Sequence, residues 1–120
     1  MGRAKYQVVY YKTRNSRCPT ADFVEGLEAS HQVYIMNGLE RLAQHGLRIG
    51  RPHVAFLRDD IYELRVRARR NAYRFFFFFF DGRKFVITHG YLKRSRKVPD
   101  SEIDKAVEYR QDYYARKAKG

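Results

Sequence analysis

Residues that stabilise small secreted domains are scarce in this 120-residue sequence, which has one cysteine, Cys18, and three prolines. A single cysteine cannot form an intramolecular disulfide, and the four histidines lack the spacing of a zinc site. No apolar stretch approaches the roughly 20 residues of a membrane-spanning helix, and the first residues show no signal-peptide pattern. We therefore expect a cytoplasmic protein that needs no metal or other cofactor and has no membrane partner.

Acidic residues are also few relative to basic ones. The sequence has 25 lysines and arginines against 13 aspartates and glutamates, a formal net charge of +12. Such an excess in a small domain favours a polyanionic partner, such as a nucleic acid or an acidic protein segment. Hydrophobic residues make up 44% of the sequence, which is enough for a packed core in a single domain spanning residues 1–120.

The spacing of apolar residues predicts seven elements in the order β-α-α-β-β-β-α. The strands are predicted at residues 5–12, 61–68, 72–80 and 84–92. A short helix opened by Pro19 ends near residue 29, a longer helix capped by Ser30 ends at His45 and Gly46, and an amphipathic helix covers residues 101–117. This order predicts a small α+β domain with its helices on one face of a twisted, mostly antiparallel four-stranded sheet.

Alternation along the two central strands assigns their side chains to the two faces of the sheet. The apolar set that should face the helices is Tyr62, Leu64, Val66, Tyr73, Phe75, Phe77 and Phe79. The outer face should then carry Glu63, Arg65, Arg67, Arg74, Phe76 and Phe78. We expect RNA bases, or an apolar helix of a partner, to cover the two outer phenylalanines. The alternative is that these phenylalanines lie beneath the C-terminal helix or in a dimer contact, beside solvated arginines.

A cationic segment follows the last predicted strand and contains His89, Lys93, Arg94, Arg96 and Lys97. Arginines beside aromatic rings suit a single-stranded nucleic acid, because guanidinium groups bind phosphates and rings stack on bases. On this basis the residues expected to bind RNA are Arg67, Phe76, Phe78, Arg96 and Lys97.

Five segments of the sequence resemble the RelE/HigB superfamily of type II toxins, and in particular its phage-derived, HigB-like branch. They are "PTADFVEGL", "LERLAQHGLRIGRPHVAFLRDDIYELRVR", "AYRFFFFF", "FVITHGYLKRSRKVP" and "EIDKAVEYRQDY". The resemblance implies a RelE-like fold and a ribosome-dependent endoribonuclease that cleaves mRNA, neutralised by a small antitoxin, usually of helix-turn-helix type. By motif, the functional cations of such toxins map to Arg65, Arg67, Arg74, Lys93 and Arg94.

The sequence departs from the family pattern at three places. Val98 stands where the branch usually has threonine, residues 75–80 contain no tyrosine, and Glu63 stands where some relatives have lysine. These departures mean that a catalytic scheme cannot be transferred unchanged from those relatives.

Metal-free RNA cleavage needs a base near the 2′-hydroxyl, cations around the pentacoordinate phosphorus and an acid at the leaving oxygen. Arg65 and Arg74 are the candidates for transition-state charge, since guanidinium stays protonated and binds two oxygens at once. Lys93 and Arg94 are candidates for positioning the phosphate or assisting the leaving group. His89 is the first candidate for the base because histidine titrates near neutrality, and Glu63 is the second.

Two other functions fit the same residues. A ParE-like toxin would act on a protein target such as DNA gyrase, although such toxins tend to lack the full arginine and lysine set. A non-catalytic RNA-binding module would lose affinity gradually as cations are removed, whereas an enzyme loses activity sharply on one substitution.

Overall fold

A computed structural model describes residues 5–119 and shows an α+β domain with one five-stranded sheet. The elements in chain order are β1 (Gln7–Tyr10), α1 (Pro19–Glu25), α2 (Ala29–His45), a 3-10 turn (Gly46–Ile49), β2 (Val54–Arg58), β3 (Ile61–Ala68), β4 (Asn71–Phe80), β5 (Lys84–Leu92) and α3 (Asp100–Lys119). The sheet order is β1-β5-β4-β3-β2, with β1 parallel to β5 and every other pair antiparallel. Between residues 5 and 119, no helix has both the length and the apolar character needed to cross a bilayer.

The predicted α+β class is confirmed, but the sheet has five strands and not the predicted four, because the apolar pattern does not identify β2. This strand has five residues, and its sequence "VAFLR" shows no sustained alternation. It lies at the edge of the sheet, where it pairs with the first half of β3 and contains a bulge between Phe56 and Arg58. Its strand conformation therefore depends on pairing with β3, which is a tertiary contact.

Several predicted boundaries are confirmed by local geometry. Pro19 opens α1, and Gly46 ends α2 with a φ of 61°. A Cβ at Gly46 would lie 2.6 Å from the Tyr6 ring, so glycine is needed there for packing as well as for its positive φ. The predicted Ser30 cap is wrong, because α2 begins at Ala29 and has Glu28 at the cap position without a side-chain bond.

The helices lie on both faces of the sheet, which corrects the prediction that all three share one face. Helices α1 and α2 cover the face that we call the upper face, and α3 covers the opposite, lower face. The upper core is formed by α2 residues Ile35, Leu39 and Leu42 together with the sheet residues Leu64, Val66, Tyr73, Phe75, Phe77, Phe85 and Ile87. The lower core is formed by Tyr11, Ile61, Phe76, Phe78, Val86, Ile103 and Ala106. The strand at the centre of the sheet is therefore buried on both sides along most of its length.

The six consecutive phenylalanines are explained by these two cores. Phe75 and Phe77 are fully buried in the upper core, as predicted. Phe76 and Phe78 are also 0% exposed, because α3 covers them, so the prediction of an outer face open to RNA or a partner is wrong and the alternative of burial beneath the C-terminal helix is confirmed. Phe79 was predicted to be in the core but is 38% exposed, since it lies near the end of the strand.

A β-bulge in β5 changes the face that its second half presents. Phe77 pairs with Ile87 and Phe76 pairs with His89, so Thr88 is the extra residue. Strict alternation would place Ile87 and His89 on the same face, but the bulge places Ile87 in the upper core and His89 on the lower face beside Phe76. The bulge therefore moves the residues after Thr88 to the faces where the candidate site is built.

Candidate functional site

The lower face carries a cluster of charged residues beyond the end of the aromatic core. Arg65 of β3 lies directly opposite Arg74 of β4 in the antiparallel register. Two like charges at such a pair repel each other, and the carboxylate of Glu63 compensates. Glu63 Oε1 accepts a hydrogen bond from Arg65 Nε at 2.9 Å and lies 3.0 Å from Arg74 Nε. We call the residues Glu63, Arg65, Arg74, Tyr91 and Lys93 the arginine cluster.

Glu63 holds both guanidinium groups from inside the protein. Its side chain is 1% exposed, whereas those of Arg65 and Arg74 are 30% and 12% exposed. The second carboxylate oxygen, Oε2, is buried without a hydrogen-bond partner in residues 5–119. The contact between Arg74 Nε and Glu63 is close enough for an ion pair but lacks hydrogen-bond geometry. The carboxylate therefore orients the two guanidiniums without saturating them.

The charge of Arg74 is only partly compensated by its neighbours in the cluster. Burial lowers the pKa of Arg74, the Glu63 carboxylate raises it, and the charges of Arg65 and Arg67 lower it again. Arg65 Nη1 also donates to the Pro52 carbonyl at 3.2 Å, which ties its guanidinium to the loop before β2. One carboxylate serves two paired arginines, so the cluster is ready to accept an anion.

Tyr91, which sequence reasoning did not select, belongs to the same cluster. It lies opposite Arg74 in the β4–β5 register, and its ring stacks on Phe76 with centroids 5.6 Å apart. Its hydroxyl is buried without a hydrogen-bond partner in the described part of the chain. Burial and the charge of Glu63 raise the pKa of Tyr91, so the phenol stays protonated. In the sequence, Tyr91 directly follows His89-Gly90, and this position could have drawn attention to it. The face of the sheet on which it lies could not be predicted, because that face depends on the bulge at Thr88.

Of the four cations predicted after β5, we place Lys93 in the arginine cluster, because the charges of Arg74, Glu63 and Arg65 act on its ammonium group. Burial lowers the pKa of Lys93, and the charge of Arg74 lowers it further. Its ammonium group donates to the Arg96 carbonyl at 2.6 Å, which folds the loop back on itself. Arg94, Arg96 and Lys97 are exposed on that loop. No ion pair joins these three side chains to the cluster among residues 5–119.

His89, the first candidate for the base, has no ring nitrogen free to contact a substrate. It is 5% exposed. Its Nε2 lies 2.9 Å from Glu102 Oε1 and its Nδ1 lies 3.0 Å from Thr88 Oγ1. Burial lowers the pKa of His89. Both ring nitrogens have partners within the fold, and one of these partners, the Thr88 hydroxyl, also donates to the Phe76 carbonyl at 3.3 Å. This arrangement is that of a structural histidine that fixes the start of α3.

The remaining predicted residues divide between surface and core. Arg67 is exposed at the end of β3, where it is available to a ligand. Phe76 and Phe78 cannot stack on RNA bases, because α3 covers both rings. Phe78 instead contacts the Tyr113 ring edge to face at 5.5 Å. Between residues 5 and 119, no three histidine, cysteine, aspartate or glutamate side chains gather as a set of metal ligands.

Comparison with known proteins places this chain in a family. The family model described as "Phage derived protein Gp49-like (DUF891)" matches residues 22–111, a segment that includes α2, the strands β2 to β5 and most of α3. The chain therefore belongs to the Gp49-like family of phage-derived proteins, which is a RelE/HigB-type toxin-like family. No curated protein matches the sequence.

Proposed function

We propose that this protein is the toxin of a type II toxin–antitoxin system, of the HigB-like branch, and that it cleaves mRNA at the ribosome without a metal ion. Membership of a toxin-like family supports the toxin part of this proposal. The cleavage part rests on the arginine cluster. A ParE-like toxin and a non-catalytic RNA-binding module are the alternatives that the experiment below must separate.

The observation that carries the proposal is the cross-strand pair of Arg65 and Arg74 with its single buried carboxylate. A pair of like charges on neighbouring strands is destabilising unless it is compensated. Glu63 compensates it only in part, and the pKa of Arg74 is lowered by burial and by its arginine neighbours. A phosphate bound between the two guanidiniums would supply the missing negative charge, and a phosphorane, which carries more charge, would be stabilised further.

In the proposed reaction, the 2′-hydroxyl oxygen attacks the adjacent phosphorus in line with the bond to the 5′-oxygen. Arg65 and Arg74 stabilise the equatorial oxygens of the pentacoordinate phosphorus. The Tyr91 hydroxyl, held neutral by its raised pKa, is a further donor beside Arg74. The phosphorus–oxygen bond to the 5′-oxygen then breaks, leaving a 2′,3′-cyclic phosphate and a 5′-hydroxyl.

Proton transfer in this scheme depends on Lys93. Its lowered pKa, caused by burial and by Arg74, makes the ammonium a better acid toward the leaving 5′-oxygen. Solvent water takes the proton of the 2′-hydroxyl, because His89 is engaged at both ring nitrogens and Glu63 is 1% exposed. Glu63 is thus a positioning residue for the two arginines.

A toxin of this kind requires a partner that neutralises it. We propose a small antitoxin, of helix-turn-helix type, and a cytoplasmic site of action where mRNA and ribosomes are present. The net charge of +12 agrees with partners that are acidic or polyanionic.

The test is induced expression in bacteria, with growth followed and mRNA ends mapped by primer extension for the wild type and Arg74→Ala. The proposal predicts growth arrest together with new 5′ ends inside translated messages, and Arg74→Ala should abolish both. Arg83→Ala is the matched control, because Arg83 is exposed in the turn at the other end of β4. Growth arrest without new ends would favour a protein target such as gyrase, and binding of RNA without arrest or cleavage would favour a binding module.

A further inference from the structure

A second cationic surface begins where the arginine cluster ends and continues around the edge of the sheet. Strand β2 pairs with β3 only from Ile61 to Leu64, so within residues 5–119 no strand pairs with the second half of β3 on that side. The resulting groove lies between this open edge and α2, and its volume is about 520 Å³. The residues of its lining that matter here are Tyr34, Gly38 and Arg41 of α2 and Arg65, Arg67 and Arg74 of the strands.

The floor of the groove depends on Gly38 in α2. A Cβ at Gly38 would lie 2.9 Å from Val66 Cγ2, so α2 approaches β3 closely only because this position has no side chain. The volume falls within the range of roughly 300–1,000 Å³ that is usual for ligand sites. The groove is therefore large enough for part of a nucleotide chain and is maintained by close backbone packing.

The charge of the groove has one sign. Four arginines line it, and no aspartate or glutamate of the described residues does. Among residues 5–119, no carboxylate forms an ion pair with Arg41 or Arg67, whereas Arg65 and Arg74 share Glu63. Two arginines without counter-charges beside two that share one carboxylate form a surface that favours a chain of anions over a single anion.

The groove also offers an aromatic ring and a free strand edge. Tyr34 is 43% exposed although it is a large aromatic residue on the helix that lines the groove. The Arg65 backbone N–H donates to the His53 carbonyl at 2.7 Å. Because alternate residues of a strand direct their N–H groups to the same side, the Arg67 N–H points toward the open edge, which is a further donor for a phosphate.

We infer that this groove binds the nucleotides adjacent to the scissile phosphate, with Arg41 and Arg67 on backbone phosphates and the Tyr34 ring stacked on a base. The inference deepens the proposed function and rests on it for the identity of the reacting phosphate. It assigns α2 a direct role in substrate binding. Arg74 and Arg65 lie at the junction, where the strand of RNA would pass from the groove into the arginine cluster.

Single-stranded RNA fits the groove better than an acidic peptide does. Planar guanidiniums bind two phosphate oxygens at once, and an exposed tyrosine in the same lining as four arginines suits a stacked base. The apolar side chains of the lining, Val66, Ala72 and Pro52, are small, so the groove offers no deep apolar pocket for the anchoring side chain of a peptide.

The test is fluorescence anisotropy of a labelled single-stranded RNA of roughly 10 nucleotides, a length within the usual site size of single-strand-binding domains. Tyr34→Ala should weaken binding about tenfold by the loss of one stacked base, and Tyr34→Phe should restore most of the affinity. Arg41→Ala should weaken binding about tenfold and reduce the slope of log affinity against log salt by about 0.7. Arg83→Ala, far from the groove, should reduce affinity much less than Arg41→Ala.

Cleavage by the same variants distinguishes this inference from the proposed function. If Tyr34→Ala and Arg41→Ala raise KM in a translation extract while kcat stays near the wild-type value, both are supported. If the wild type cleaves but neither variant changes RNA binding or KM, the groove inference is wrong and the proposed function stands. If RNA binding depends on Tyr34 and Arg41 but the wild type never cleaves, the proposed function is wrong and the groove stands. Absence of RNA binding, or equally tight binding of a polyglutamate peptide through the same residues, would overturn the inference.

Discussion

The lower face of β4 has two halves that differ sharply although the backbone between them is continuous. Phe76 and Phe78 are 0% exposed under α3, and we call their half the covered half. Arg74, two residues before Phe76 on the same face, is 12% exposed and its neighbour Arg65 is 30% exposed, and we call their half the open half. The boundary is the start of α3, where Glu102 bonds to His89 beside Phe76.

This contrast shows how a rigid site is built at the end of a packed layer. The covered half holds the strands in register through stacked and edge-to-face rings, including the pair of Phe76 and Tyr91. Because the same strands continue into the open half, the backbone positions of Arg65, Arg74 and Tyr91 are fixed as well. Positions fixed in this way are what transition-state stabilisation by charge requires.

The largest effect on stability is expected from Phe78→Ala in the covered half. Removing a fully buried ring should lower the free energy of unfolding by about 3–5 kcal/mol. Phe79→Ala is the matched control, since Phe79 is the next residue and is 38% exposed, and it should cost about 1 kcal/mol or less. Denaturant unfolding of both variants measures the difference. Equal losses would mean that α3 does not seal the lower face.

Glu63→Gln should reduce both the stability of the protein and the rate of RNA cleavage. The substitution keeps the shape of the side chain but removes the carboxylate that contacts both arginines, so it should destabilise the protein by about 2 kcal/mol and reduce cleavage more than tenfold. Because an added anion can replace the lost charge, inorganic phosphate should raise the Tm of Glu63→Gln by more than it raises the Tm of the wild type. An equal effect of phosphate on both proteins would contradict the account of Glu63.

Tyr91→Phe should separate activity from stability. The hydroxyl that it removes is buried without a partner among residues 5–119, so the free energy of unfolding should stay within about 1 kcal/mol of the wild type or rise. Cleavage should fall about tenfold if that hydroxyl donates to the phosphate. Thermal unfolding and a cleavage assay on the same preparation provide both values. A marked loss of stability would show that the hydroxyl is bonded within the fold.

The smallest effect is a dependence of stability on pH that comes from His89. Burial keeps the pKa of His89 below its ordinary value of 6.5, so the unfolded chain binds more protons than the folded one as the pH falls through that value, and stability decreases. Glu102→Gln should steepen this decrease, because Glu102 raises the pKa of His89. His89→Gln should remove it. Unfolding curves at several pH values between about 5 and 8 would reveal a contradiction if stability rose on acidification.

The sequence allowed much of the fold to be predicted, because most elements carry their own periodic pattern. The predicted ranges of β3 and β5 agree with the structure, and those of β4 and α3 differ by one or two residues at an end. The strand β2 could not be predicted in this way, since its pairing with β3 is a tertiary contact. The placement of α3 was also inaccessible, because a run of phenylalanines alternates between two faces without showing that both are buried.

The charged residues of the candidate site could be predicted from the sequence, but several of their contacts could not. Glu63, Arg65 and Arg74 were assigned to one face by alternation, and the structure brings them into contact. The faces of the sheet on which His89 and Tyr91 lie could not be predicted, because the bulge at Thr88 reverses the alternation of β5. The groove beside α2 depends on where β2 stops and on the close approach at Gly38, neither of which appears in the sequence pattern.

The most direct test of the account is cleavage of a translated message by Arg74→Ala, measured together with unfolding of the same preparation. The account predicts that cleavage falls at least about a hundredfold, as for the loss of one donor to a charged transition state, while the Tm changes by only a few degrees. It also predicts that the wild-type products carry a 2′,3′-cyclic phosphate and a 5′-hydroxyl. Cleavage that persists in Arg74→Ala, or that falls only in proportion to unfolding, would contradict the assignment of the open half as the reactive site.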